Sequence, residues 1–226
     1  MKAIVLAGGR GTRLAPWEAP KCLLPVNGLP ILYRLLSHLA DSGMTLLESV
    51  TICTGYRAAD IERAVRTWKF ESRLPIYFSS GDPQLTMIER VKNAFADPLW
   101  YPDEQPLLIC YGDELTNVSL TDLSAMHRNN RAMLTFAAFE TLVPGGAVVY
   151  GTHGPQIVES NSCLINIGFV IAEREALRYM PAAGGLSEWI NITAAHTERV
   201  AVYHHEGVRA TINSLADLRG AEEIWR

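Results

Sequence analysis

The chain has 226 residues and a mass of 25.0 kDa, and 48% of it is hydrophobic; this suffices for one large core, and no linker-like stretch divides it, so a single domain over 1–226 is expected. Lys and Arg number 20 against 24 Asp and Glu, a net charge of -4 with both signs spread along the chain, and the lack of a basic stripe sets nucleic-acid binders aside. No apolar run reaches about 18 residues, and no charged segment leads into an apolar core at the N-terminus, so the expectation is a cytoplasmic protein with no membrane partner.

The chain opens on an apolar run over 3–7 bounded by Gly8 and Gly9, the pattern of a buried parallel strand. The stretch LAGGRGTRL over 6–14 then lets the backbone turn tightly with its amides exposed, because no Cβ blocks an anion there. Arg13 and Lys21 add full positive charges where a triphosphate would lie. The spacing of Gly8, Gly9 and Gly11 fits neither the dinucleotide fingerprint nor the Walker pattern, and the glycines alone are weak evidence. A dehydrogenase is disfavoured as well, since no convincing acidic residue follows about 20 positions on.

Beyond the turn, the spacing predicts a helix over 30–39 with Pro30 in its first turn and Gly43 ending it. Residues 49–54 are short and β-branched, hence a strand, and 58–68 place Ile61, Ala64, Val65 and Trp68 on one helical face. A strand over 74–79, a helix over 87–95 and a strand over 105–111 follow, the alternation of a doubly wound α/β domain. That last strand ends in Gly112 and Asp113. Ligands of open parallel sheets bind beyond the carboxyl ends of the strands, so Asp113 is a candidate magnesium ligand, weighed against a loop or capping carboxylate. Thr121 and Asp122 mark a helix start.

The second half predicts strands over 133–139 and 147–151 joined by a loop over 143–146, a short alternating segment over 156–159, and a buried strand over 164–171 interrupted by Asn166 and Gly168. A glycine inside such a strand marks either the close approach of another group or a bulge. Helices are expected over 174–179 and over 187–193, the latter capped by Ser187, then a strand over 200–205 and a helix over 217–225 with Trp225 packing it back. His204 and His205 are neighbours on a strand and face opposite sides, which disfavours a shared ion. The cysteines, Cys22, Cys53, Cys110 and Cys163, lie too far apart for a zinc site or redox pair; Cys53 and Cys110 read as buried thiols, and Lys21 beside Cys22 would lower that thiol's pKa. The fold class is α/β, a doubly wound Rossmann-like arrangement with a mixed, mainly parallel sheet and helices on both faces.

Gly8, Gly9, Gly11, Arg13 and Lys21, together with LLPVNGLP over 23–30, closely resemble the signature of the sugar nucleotidyltransferases, also called nucleoside-diphosphate-sugar pyrophosphorylases. The resemblance implies transfer of a nucleotidyl group from a nucleoside triphosphate to a sugar 1-phosphate, with Mg2+ as cofactor. It implies a nucleotide-binding half over 1–125, using Leu6, Ala7, Gly8, Gly9, Gly11, Thr12 and Arg13, and an acceptor-binding half over 126–226. Lys21, Gly112, Glu159, Asn166 and Gly168 would serve the acceptor; Arg13, Lys21 and Asp113 would be catalytic; and Asp113 and Asn213 would hold the metal. Self-association into a homo-oligomer is left open.

The chain departs from that pattern in three places. Asn213 stands where the family usually has a second metal-binding aspartate. Gln84, Leu85, Thr86, Met87, Ile88 and Glu89 replace a glycine-rich loop that contacts the base, and the usual Glu-Lys-Pro before the sugar-binding strand is reduced to Glu159. Two alternatives therefore stand beside the main reading: a cytidylyltransferase-like enzyme acting on a non-sugar phosphate or phosphonate, and a catalytically weak regulatory protein that binds nucleotide sugars.

Overall fold

The computed structural model of the chain describes residues 1–11, 14, 17–42, 46–96, 105–142, 147–151, 154–158 and 162–225. Their elements are β1 (Lys2–Leu6), β2 (Pro25–Val26), β3 (Leu29–Pro30), α1 (Ile31–Ser42), β4 (Ser49–Thr54), α2 (Ala58–Thr67), β5 (Ile76–Ser80), α3 (Met87–Phe95), β6 (Leu107–Tyr111), β7 (Glu114–Thr116), α4 (Leu120–Asn129), β8 (Leu134–Leu142), β9 (Ala147–Gly151), β10 (Gly154–Val158), β11 (Ser162–Ala172), α5 (Leu186–His196), β12 (Val200–His205), β13 (Arg209–Thr211) and α6 (Leu215–Ile224). Arg174–Tyr179 winds as a 3-10 helix. The expected loop over 143–146 and the expected stop at Gly43 lie outside the described residues.

One cap differs from expectation. α5 starts at Leu186, and its N-cap is Gly185, whose backbone is extended and which offers no side-chain hydrogen bond. Ser187 falls inside the first turn, two residues past the cap position from which a hydroxyl could turn onto the free amides.

The central sheet has seven strands in the order β12-β8-β11-β6-β1-β4-β5. β1 pairs in parallel with β4 and β6, β4 with β5, and β12 with β8, while β11 runs antiparallel to both β6 and β8. The chain runs from β1 outward to β4 and β5, then returns to place β6 on the other side of β1. That reversal makes the β1–β6 boundary the switch point, the place where such sheets open a crevice beyond their carboxyl ends.

Side-chain alternation divides the core between the two faces of the sheet. Ala3 and Val5 of β1, with Val50, Ile52, Leu108 and Cys110, pack on Leu32, Leu35, Leu36 and Leu39 of α1 and Ile61 and Val65 of α2. Ile4, Cys53, Leu107 and Ile109 face the other way, onto Ile88, Val91 and Ala94 of α3 and Leu186, Trp189 and Ile190 of α5. Period-2 strands against period-3.6 helices thus produce the two layers that the sequence pattern called for.

A third cluster fixes the segment next to the switch point. Leu14, Leu24, Val26 and Ile31 pack with Leu115 of β7, Ile212 and Ala221, and Trp225 packs against them from the end of α6. β2 and β3 form a hairpin whose turn residues Asn27 and Gly28 have φ of 47° and 78°, the left-handed pair that such a tight turn requires. Asn27 Nδ2 donates to the carbonyls of Glu222 at 2.6 Å and Trp225 at 2.8 Å, tying the hairpin to the end of α6. Asn27→Gly keeps the backbone free to adopt the turn and removes only these bonds. A loss of about 1–2 kcal/mol and a Tm lower by a few degrees is expected in thermal unfolding, with no change in the circular-dichroism spectrum of the folded state.

Candidate active site

The turn after β1 and the turn after β6 meet at the switch point. Leu6 is the register partner of Tyr111, Ala7 donates to Cys53 O at 2.9 Å, and Gly112 donates to Leu6 O at 3.0 Å. Gly112 has no room for a side chain: a Cβ there would lie 2.7 Å from Leu6 O. Gly9 has open space around it, whereas Gly11, at φ +64°, sits against Lys21, whose Cβ would be 2.8 Å from a side chain at that position. The glycines thus serve three ends: close strand approach, an open amide turn, and contact with a lysine stem.

Lys21 begins a 3-10 turn, Lys21–Leu23, and is 8% exposed. Its Nζ donates to Asp113 Oδ2 at 2.6 Å and to Asn213 Oδ1 at 2.9 Å, so residues from the start, middle and end of the chain converge on one ammonium. β7 and β13 hold the latter two in place. Thr211 pairs with Glu114 in that ribbon, Asp113 directly precedes Glu114, and Asn213 follows Thr211 by two residues. Glu114 is 2% exposed and is bound by Arg209 and Thr211; burial pushes its carboxyl above the usual range, against the pull of Thr211 and Arg209. Asn213 is fixed through its amide, which donates to Asp217 Oδ2 at 2.8 Å. Although partial burial raises the carboxyl of Asp217, the amides of Asn213 and Ser214 and the charge of Lys21 bring it below its usual value.

These groups line a cleft of about 660 Å³. Its lining combines the glycine turn of Leu6, Ala7, Gly8, Gly9 and Gly11, the segment of Pro83, Leu85, Thr86 and Met87, and the charged and polar group of Lys21, Asp113 and Asn213 beside Gly112. Asn166 also lines it. Its Oδ1 accepts from the Gly168 amide at 2.8 Å, while its buried Nδ2 has no partner among the described residues. A buried donor left without an acceptor costs about 1–3 kcal/mol. Gly168, at φ +71° in the register break of β11, does not line the cleft: a Cβ there would lie 2.1 Å from the Tyr111 ring, which is the close approach that its position in a strand implied.

Thr12, Arg13 and Glu159 lie outside the described residues. His205 is buried with Nε2 at 3.1 Å from Thr116 Oγ1, and its neighbour His204 is exposed. One expectation is overturned. The Cys22 thiol is not lowered by Lys21: burial and the negative charge of Asp113 push it up to about 12. The adjacent ammonium is turned away, onto Asp113 and Asn213. Arg90, Glu114, Arg209 and Thr211 are cleft residues that sequence reading passed over. Arg90 left one local trace, a charged residue beside the apolar Ile88, Val91 and Ala94 stripe; the pairing of Glu114 with Arg209, 95 residues apart, left none.

The two oxygens that share one ammonium are the candidate ligands for a cation in its place. Magnesium takes oxygen ligands and is commonly held by one or two carboxylates plus substrate phosphates. Asp113 and Asn213 fit that kind of open site. They do not make a closed protein cage, and among the described residues no group of three His, Cys, Asp or Glu could hold a metal. No helix among the described residues is long and apolar enough to cross a membrane.

Known proteins resemble the chain in sequence and in fold. The model of the MobA-like NTP transferase domain family matches residues 3–140. A Bacillus subtilis protein named "Probable glucose-1-phosphate cytidylyltransferase" is 26% identical over all of this chain and 96% of its own length. The mannose-1-phosphate guanylyltransferase of Mycobacterium tuberculosis is 33% identical over 59% of this chain, and the match spans about a third (35%) of that longer protein. Among solved structures, HddC from Yersinia pseudotuberculosis complexed with GMP-PN superposes with a TM-score of 0.75 at 20% identity, covering 100% of this chain and 99% of that one, which shows a shared fold.

The ammonium of Lys21 and a divalent cation would compete for the same two oxygens. Lys21→Met is therefore expected to tighten Mn2+ binding to the nucleotide-free chain at least about tenfold, or about 1.4 kcal/mol, measured by the loss of free Mn2+ electron-spin-resonance signal. Unchanged Mn2+ affinity would show that Asp113 and Asn213 do not form a cation site.

Proposed function

The chain belongs to the MobA-like NTP transferase domain family, and from that premise we propose that it joins a nucleoside triphosphate to a sugar 1-phosphate, giving a nucleoside-diphosphate sugar and pyrophosphate in the cytoplasm. The observation that carries the proposal is the convergence of Lys21, Asp113 and Asn213 at the charged end of a cleft whose wall is the glycine turn. The names of the relatives support the acceptor class, since both curated relatives are named for a sugar 1-phosphate. Residues 1–125 would form the nucleotide half and 126–226 the acceptor half of one domain.

In the reaction a phosphate oxygen of the acceptor forms a bond to the α-phosphorus while the bond from that phosphorus to its bridging oxygen breaks, and the electron pair leaves with pyrophosphate. The nucleophile is already an anion, so no general base and no covalent enzyme intermediate are needed. The protein's task is to align two anions and neutralise the charge that grows on the leaving group. The amides of Gly8, Gly9 and Gly11 would receive the triphosphate, with Thr12 and Arg13 assigned to the same role by the motif alone. Lys21, released from Asp113 and Asn213, would hold the acceptor phosphate near the α-phosphorus. Asp113 and Asn213 would hold Mg2+, which supplies charge neutralisation between the phosphates when bound. Gly112 admits substrate beside Asp113, and the unpartnered amide of Asn166 would donate to an acceptor hydroxyl; Gly168 would act through the bulge that presents Asn166. Glu159 is carried from the motif as a further acceptor contact.

The test is pyrophosphate release with each of the five common nucleoside triphosphates, Mg2+ and a panel of sugar 1-phosphates, with phosphocholine and aminoethylphosphonate as non-sugar controls. At least one sugar 1-phosphate pair should turn over. Silence across the panel would sink the proposal, and turnover with the controls alone would move the acceptor out of the sugar class. Asp113→Ala and Lys21→Ala should each lose about a hundredfold or more in kcat, on the order of 3 kcal/mol, with folding intact.

A further inference from the structure

Arg90 is 6% exposed, and among the described residues its guanidinium donates to main-chain carbonyls. Nη1 donates to Thr54 O at 2.7 Å, and Nη2 donates to Asp82 O at 3.0 Å, to Pro83 O at 3.2 Å and, longer, to Gly8 O at 3.5 Å. No ion pair among the described residues includes it. The accepting carbonyls belong to three segments that are remote in sequence: the glycine turn, the end of β4 and the loop that opens α3. The same side chain accounts for two glycines. A Cβ on Gly8 would lie 2.3 Å from Cζ of Arg90, and one on Gly55 would lie 2.5 Å from Nη1.

α3 itself does not need this residue. The helix already has a capping box between Thr86 and Glu89 and an apolar face of Ile88, Val91 and Ala94. What the arginine adds is a rigid link. A guanidinium presents its N–H groups in a fixed planar fork, so carbonyls bound to it are held at set separations, which a single-point lysine ammonium cannot do. Of the three linked segments, the turn at Gly8 lines the cleft, and the loop at Asp82 and Pro83 runs directly into Leu85, Thr86 and Met87, which line it too. Arg90 thereby fixes the segment that would take the phosphates relative to the segment that would face the nucleoside.

The geometry points to Arg90 as a positioning residue for the nucleoside end of the triphosphate, acting through the loop at Asp82 and Pro83; the inference rests on the nucleotidyltransferase reading. A ligand with phosphates alone would use only the turn, whereas a nucleoside triphosphate would reach both segments. Loss of the link is therefore felt by the second ligand and not by the first.

The experiment measures Kd by calorimetry for the best-bound nucleoside triphosphate and for inorganic tripolyphosphate, in the full chain and in Arg90→Lys and Arg90→Met, with Tm as the check on folding. Both variants should bind the nucleotide at least about tenfold more weakly and tripolyphosphate within about twofold of the parent. In turnover, KM for the nucleotide should rise while kcat and KM for the acceptor stay within about threefold. Should neither variant fold, Gly55→Ala keeps the arginine but places a methyl group against Nη1, and the same split between the two ligands is expected. A lower Tm with unchanged nucleotide affinity overturns the inference, because the arginine would then be structural only. Equal losses for nucleotide and tripolyphosphate overturn it too, since the charge would then act on the phosphates directly. A parent chain that binds none of the triphosphates removes the nucleotidyltransferase reading and this inference with it, and that result is visible before any substitution is made.

Discussion

Lys21 is the point at which the fold and the site depend on each other. An ammonium withdrawn from water needs anionic or carbonyl-type oxygens around it, or its desolvation outweighs what its burial gains. Here the oxygens come from Asp113 and Asn213, which lie 92 and 192 residues away in sequence. Neither could be present unless β6 lay beside β1 and the C-terminal segment had returned to the front of the sheet. The lysine is thus satisfied only in the complete fold, and completing the fold assembles the charged end of the cleft.

The surroundings of that ammonium are built to leave it little freedom. Its stem lies against Gly11, where any side chain would intrude, and its 3-10 turn runs into a hairpin anchored on α6 by Asn27. The apolar cluster of Leu14, Leu24, Val26, Leu115 and Ile212 lies behind it. The β7–β13 ribbon, braced by Glu114, Arg209 and Thr211, holds the two acceptors from the other side. Preorganisation of this kind is what a reaction between two anions demands, because the charges that stabilise the transition state must be in place before it forms.

Much of the fold was legible in the sequence because burial imposes short-range periods. β4, α3 and β12 coincide with the expected segments, and the reading of Cys53 and Cys110 as buried thiols is met in the structure. Asp113 was legible for a related reason: a strand followed by glycine and a carboxylate places that carboxylate at a carboxyl edge whatever the rest of the chain does. The errors arose where a neighbour in sequence was taken for a neighbour in space. Lys21 adjoins Cys22, yet its ammonium is directed elsewhere, and the thiol feels burial and Asp113 instead. Arg90 was hidden for the opposite reason, since its partners are main-chain carbonyls, which every residue has and no pattern reports. Glu114 and Arg209 pair through a ribbon of three-residue strands, too short to show alternation.

The amide at position 213 changes the balance of the site in a definite direction. Lys21 and Asp113 together carry no net charge, and Asn213 adds a dipole only, so the cluster is neutral before any substrate arrives. A second carboxylate would leave an uncompensated negative charge beside a cleft meant for phosphates, and would bind the ammonium more firmly. With the amide, the lysine is held by one full charge and one dipole; a charge-assisted bond is roughly twice as strong as a neutral one, so most of the restraint on Lys21 comes from Asp113 alone. The same economy would weaken the pair as a ligand set for a divalent cation, which would then need phosphate oxygens to complete its shell. Cation and nucleotide would then each favour the binding of the other.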